Sequence, residues 1–369
     1  MASSGSNKRP GSGNRRKPAG TANSAAERAR ERLQNQSGRP VRSQAARRPQ
    51  GKRRSARGGG RSSAMTAGIF GGGLVVVAVV IILVVSSLGT SKGGSANDPY
   101  IKPFPVTAHV ASALSSVSAT ALAQSGSGGT GAYSVSTIGK KGSGAPLVRI
   151  GSVPTSGKPE VLYVGAEYCP YCAATRWALT IALDKFGHFS GLEQTASSPI
   201  DAFPDTHTLT FANATYTSPY LRFVPVEETT NQCQPGSVQL NTSGSGPKYV
   251  CANGNYKPLE TPTKPEAALI NKYDTTTWFG ALDQYGPGIP FIDFGGAFAE
   301  SGALYDPQIL QGANWDQIAR TLTVPTAGIG QTVLATAKQY IAMFCVLTHG
   351  KPGSVCNAPY LSSVKKRYQ

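Results

Sequence analysis

The chain has 369 residues, enough for one or two domains plus extras, with 43 glycines, 26 prolines and a formal net charge of +17. Residues 1–64 carry 17 Lys and Arg against Glu27 and Glu31, a net of +15, which leaves +2 for the remaining 305 residues. The basic excess therefore belongs to one end of the chain, and a folded domain that grips an acidic partner through its overall charge is excluded.

Residues 1–66 are dominated by Gly, Ser, Ala, Arg, Lys and Pro, with almost no aliphatic and no aromatic residue. Such a segment buries too little apolar surface to offset its ordering entropy, so a disordered basic tail is expected. Clusters such as Arg47-Arg48 and Lys52-Arg53-Arg54 could bind nucleic acid. The next segment explains them more simply, as charge that orients a membrane span and touches anionic lipid head groups. Residues 67–88 hold no charge and include the run Leu74-Val75-Val76-Val77-Ala78-Val79-Val80-Ile81-Ile82-Leu83. About 20 apolar residues suffice to cross a bilayer. A cleaved signal peptide has a shorter basic region and a shorter apolar core, so an uncleaved single-pass anchor is expected. The positive-inside rule puts the tail in the cytoplasm and everything after about residue 89 outside.

Residues 89–145 read as a Gly/Ser linker and a lead-in, with a weak helical pattern over 106–123. A strand is predicted over 147–150 and a domain over 146–369. Its organising stretch is the β-type run Val161-Leu162-Tyr163-Val164-Gly165, followed by Glu167-Tyr168-Cys169-Pro170-Tyr171-Cys172. A helical pattern over 170–186 follows directly, with Ala173, Ala174, Trp177, Ala178 and Ile181 at helical spacing. The two cysteines thus fall in the turn from a buried strand into a first helical turn. There the free N–H groups and the helix dipole are expected to favour a thiolate at Cys169, with Cys172 one turn deeper. Pro170 suits the first turn. Arg176 reads as part of a solvated helix face and Trp177 as core.

An insertion over 192–285 follows, with strands predicted over 192–196, 206–211 and 220–226, a loop or hairpin over 227–262 and a short helix over 265–273. It contains Asn213-Ala214-Thr215 and a second glycan acceptor pattern at Asn241. The stretch Gly288-Ile289-Pro290-Phe291-Ile292-Asp293-Phe294 puts a proline at the start of a buried strand, a place suited to a cis peptide. Helices over 314–322 and 331–347 complete a C-terminal extension.

All six cysteines follow residue 168. In an exported domain an even count suggests disulfides, and proximity in sequence pairs Cys233 with Cys251 and Cys345 with Cys356 as structural bridges. A zinc site is disfavoured: Cys233 and Cys251 are far apart for ligands, and His109, His188, His207 and His349 show no ligand spacing. No metal or organic cofactor is implied.

The strand, the Cys169-Pro170-Tyr171-Cys172 tetrad, the helix and the later Ile289-Pro290 resemble the thioredoxin superfamily. With the N-terminal anchor and the long insertion, the chain is most similar to the domain-of-unknown-function family 929, whose members look like membrane-anchored thioredoxin-like proteins. The resemblance implies an α/β, thioredoxin-like fold with a β-rich insertion. It also implies a cis-proline beside the redox pair, with Ile289, Pro290, Glu167 and Tyr171 lining the place where a substrate chain binds. Two positions depart from thioredoxin: Tyr163 stands where a buried Asp is usual, and Tyr168 where a Trp is usual. The expected function is thiol–disulfide exchange with proteins of the cell envelope through Cys169 and Cys172. The rival reading is an envelope scaffold that kept the fold without the chemistry.

Overall fold

The structure, a computed structural model, describes residues 100–126, 138–242, 248–282 and 287–369. The expected basic tail, the anchor at 67–88 and the linker up to residue 99 lie outside the described residues. Among the described residues no helix is long and apolar enough to cross a membrane.

Strand β1 (Phe104–Pro105) precedes helices α1 (Ala108–Ser115) and α2 (Ala119–Gln124). The sequence predicts one helix here. Two form because Thr107 and Ser118 are both N-caps: the Thr107 hydroxyl accepts the Val110 N–H at 3.4 Å, and the Ser118 hydroxyl accepts the Ala121 N–H at 3.0 Å. Val110, Leu114 and Leu122 are buried, so the lead-in helps to build the core.

Strands β2 (Leu147–Arg149) and β3 (Glu160–Gly165) come next, and β3 leads into α3 (Pro170–Asp184). In the insertion, β4 (His188–Ser190) pairs with β7 (Thr215–Thr217), while β5 (Glu193–Ala196) lies between β1 and β6 (His207–Thr210). β8 (Arg222–Glu227) returns to the main sheet. β9 (Thr229–Cys233) pairs with β12 (Tyr256–Pro258), and β10 (Val238–Leu240) with β11 (Tyr249–Cys251). Cys233 is bonded to Cys251, which ties the β10–β11 hairpin to β9. α4 (Lys264–Tyr273) opens with a capping box formed by Thr263 and Glu266, and the short α5 (Thr276–Phe279) follows.

The chain re-enters the main sheet through a cis Ile289–Pro290 bond into β13 (Phe291–Phe294), then β14 (Phe298–Ser301). The turn between them places Gly295 and Gly296 at φ of 63° and 69°, a left-handed region costly for residues with a Cβ, and the Asp293 carboxyl accepts the Gly296 N–H at 2.7 Å. α6 (Trp315–Thr321) and α7 (Gly328–Leu347) complete the main helices. Beyond them Cys345 is bonded to Cys356, and Tyr368 is fully buried, its ring edge-on to Phe298 at 5.6 Å.

The main sheet has the order β2-β14-β13-β3-β8, with β3 and β8 parallel and the other neighbours antiparallel. Alternation gives it two faces. Val161, Tyr163, Ile292, Phe294 and Phe298 share one face and join α3 and α7 in the principal core. Phe294 packs on Tyr340 and Phe344 of α7, and Phe186, just past α3, meets Phe344 edge-on at 5.5 Å. Phe291 and Ser301 lie on the opposite face, toward the end of α4. The architecture is mixed α/β.

Candidate functional site

Cys169 is the N-cap of α3, with extended backbone at φ −80° and ψ 122°, and its sulfur accepts the Cys172 N–H at 3.4 Å. Pro170 occupies the first helical turn. The strand-to-helix turn is thus where the sequence puts it, and both cysteines are free thiols. From the lead-in to the neighbouring strand β13, the carbonyl of Ile289, in the cis Ile289–Pro290 bond, accepts from the Cys169 thiol at 3.9 Å. The two motifs, 120 residues apart in sequence, are therefore brought together.

The cysteine pair lies away from solvent. Cys169 is only 5% exposed and Cys172 is fully buried. Burial pushes the Cys169 thiol well above its ordinary range. The Cys172 thiol and the charge of Asp201 push the same way, and the Cys172 N–H opposes them. The helix N-terminus does supply a donor, but one N–H bond does not offset the loss of water around a thiolate. Ile289 and Pro290 are buried as well, and Tyr171 is half-buried with its ring edge-on to Phe203 at 6.2 Å.

The supporting shell was largely invisible in sequence. Arg176, expected on a solvated face, is 0% exposed. Its Nε and Nη2 donate to the two Glu227 carboxylate oxygens at 2.8 and 2.7 Å, and Nη2 also donates to the Ala166 carbonyl at 2.8 Å. Trp177 is core, as expected, with Nε1 donating to the His207 carbonyl at 3.0 Å. Tyr163 on β3 is fully buried with its hydroxyl unpartnered among the described residues. Burial raises its pKa, and the charges of Cys172, Glu227 and Cys169 add to that against Arg176.

Glu167, expected to line a substrate groove, is instead buried. Its carboxyl is pushed up to about 7 by burial and by Glu227, and a Thr210 hydrogen bond and Arg176 pull the other way. It belongs to the inner support of the turn, with its N–H donating to the Thr229 carbonyl at 2.9 Å. Asp201 is a residue that sequence reasoning missed. It sits in a loop whose Ser198 N–H donates to the Tyr168 carbonyl at 3.0 Å, and burial pushes its carboxyl up to about 7. Its Oδ2 has no partner among the described residues. No local pattern marks it, because the loop meets the cysteines only after folding. Tyr168 stacks face to face on Tyr256, with ring centroids 4.0 Å apart and planes 4° apart. Among the described residues no group of three or more His, Cys, Asp or Glu could hold a metal ion.

The arrangement is that of an α/β protein carrying a buried free dithiol at a helix N-cap, opposite a cis-proline turn. Residues 148–346 match the family described as a domain of unknown function, DUF929; they make up more than half of the chain, and the protein belongs to that family. The match spans both cysteines of the dithiol, the Cys233–Cys251 bridge and the Ile289–Pro290 turn. No curated protein and no solved structure matches the chain.

Proposed function

We propose that this protein is a membrane-anchored, extracytoplasmic thiol–disulfide oxidoreductase of thioredoxin-like fold, acting on cysteines of envelope or secreted proteins. The observation that carries the reading is the free Cys169/Cys172 pair at the start of α3 with the Ile289 carbonyl against its outer sulfur. The parallel β3–β8 pair joined through α3, the β13–β14 hairpin added beside it and the cis bond before the third of these core strands support the thioredoxin-like part. Two disulfides elsewhere in the domain support an oxidising compartment, and the apolar run at 67–88 supports the anchor.

In the reaction the Cys169 thiolate attacks one sulfur of a partner disulfide. A mixed disulfide forms and the partner's other sulfur leaves as a thiolate. Cys172 loses its proton and attacks the Cys169 sulfur, releasing the partner's second thiolate. Two electrons have then passed to the partner, and Cys169–Cys172 is the new disulfide. The reverse sequence oxidises a partner dithiol. Burial of both thiols favours the second reading, a redox-inactive envelope scaffold.

Trapping separates the two. In the full-length chain, Cys172→Ala is expected to accumulate mixed disulfides through Cys169, seen as slower bands on non-reducing gels. The Cys169→Ala/Cys172→Ala double variant is expected to trap none. Absence of trapping by Cys172→Ala in an oxidising envelope would replace the oxidoreductase with the scaffold.

A further inference from the structure

The Ile289–Pro290 turn is held from behind by polar groups that the exchange reaction does not itself use. The Gly288 N–H donates to the Ser301 hydroxyl oxygen at 2.6 Å, and the Ser301 hydroxyl donates to Asp274 Oδ1 at 2.7 Å. The Gly302 N–H donates to the Pro290 carbonyl at 2.9 Å and to the Gly288 carbonyl at 3.2 Å. Ser301 ends β14 opposite Phe291, and Asp274 is the C-cap of α4; both are about 1% exposed. A carboxyl oxygen accepting from the serine hydroxyl polarises it and strengthens its oxygen as an acceptor for Gly288. The result is a continuous bonded path from α4 through Ser301 and Gly288 to Ile289, whose carbonyl sits on the Cys169 sulfur.

We propose that Ser301 and Asp274 are positioning residues for the redox pair, a latch that fixes the Gly288–Ile289–Pro290 turn and so holds the Ile289 carbonyl against Cys169. Their meaning for catalysis rests on the oxidoreductase reading. The physical case stands on the buried location. A buried carboxyl group costs desolvation energy, and an apolar side chain would close the end of α4 over the sheet at less cost. Its hydrogen bond to Ser301 instead reaches, through Gly288, a turn that faces the sulfur. A carbonyl oxygen beside a sulfur accepts from the thiol and repels the thiolate, so the latch keeps Cys169 protonated until a partner displaces the turn. Among the described residues, the other titratable groups that act on Cys169 include Cys172 on α3, Asp201 on the loop after β5 and the Tyr163 phenol on β3. None of them belongs to the latch.

The test is the pH dependence of Cys169 alkylation by iodoacetamide, resolved by peptide mass spectrometry, in the full-length protein. Ser301→Ala is expected to lower the midpoint by about half a pH unit or more, roughly a threefold faster reaction at a fixed pH below the midpoint. Ser301→Thr, which keeps the hydroxyl, is expected to restore the wild-type profile. A Ser301→Ala protein that loses thermal stability but keeps the wild-type midpoint would overturn the proposal, because a merely structural serine predicts that outcome. If Ser301→Ala does not fold, Asp274→Asn decides: a smaller shift in the same direction supports the latch, and no shift overturns it. Exchange of the wild-type protein with a cysteine-bearing peptide disulfide is measured alongside. Its absence removes the oxidoreductase reading, while the midpoint comparison still decides whether the latch exists.

Discussion

Replacing Glu227 by Ala leaves the Arg176 guanidinium inside the protein without its counter-charge. Both side chains are 0% exposed, and the pair is bidentate at 2.8 and 2.7 Å. Arg176 Nη1 already lacks a partner among the described residues, so few groups remain to take over the lost bonds. Removing one member of a buried pair costs about 3–5 kcal/mol, because a desolvated charge is stranded. Exchanging both members for apolar residues of similar volume is often neutral or favourable by about 1–4 kcal/mol. Here the exchange also frees the Ala166 carbonyl, which Arg176 satisfies at 2.8 Å, a loss of about 1–3 kcal/mol. Glu227→Ala is therefore expected to lose several kcal/mol, and Arg176→Met/Glu227→Leu to recover most of it. Urea unfolding followed by near-UV circular dichroism measures each arm of the cycle. A Glu227→Ala protein destabilised by less than about 1 kcal/mol, or a double variant no better than the single one, would show that the pair is not the buried charge bridge described.

Glu167 gives a pH-dependent prediction. Its folded-state pKa, about 7, lies above the ordinary 4.5, so the folded protein binds the extra proton and stability is lost as pH rises from about 4.5 through 7. Glu167→Gln, neutral throughout, is expected to gain on the wild type by about 1–3 kcal/mol at pH 8 and by little at pH 4; an equal effect at both, measured by thermal unfolding across pH, would refute this. The Cys233→Ser/Cys251→Ser pair of substitutions opens a loop with a sequence separation of 18 and is expected to cost about 3 kcal/mol in the same assay, with no loss if the bridge does not form in solution.

Much of the fold could be read where one local signal dominates. The change from a β-type run at 161–165 to helical spacing after Cys172 located β3 and α3, and Pro290 marked the turn into β13. The four-residue strand β14 was missed because its buried Glu300 breaks the apolar pattern; Tyr340 donates to that carboxyl at 2.7 Å from a helix far along the chain. Arg176 was misread for a related reason. α3 is buried almost all round, because β6 packs beside it and covers what would be its outer face, and the partner Glu227 lies 51 residues away. At the site, the spacing of the cysteines marked Cys169 and Cys172, a proline at a strand start marked the Ile289–Pro290 turn, and only the family resemblance set that turn beside the pair. Spacing does not report solvent, so the burial of Cys169, the Asp201 loop and the Ser301–Asp274 path were not legible.

The parallel stack of Tyr168 on Tyr256 has an optical consequence. Two phenol rings with centroids 4.0 Å apart are close enough for their transitions to couple, and one ring belongs to the residue immediately before Cys169 while the other belongs to the insertion. Any event that shifts the cysteine turn relative to β12 changes that coupling. The domain thus carries its own chromophore pair beside the dithiol, and tyrosine dichroism near 280 nm can follow any movement of the cysteine turn in real time without an added label.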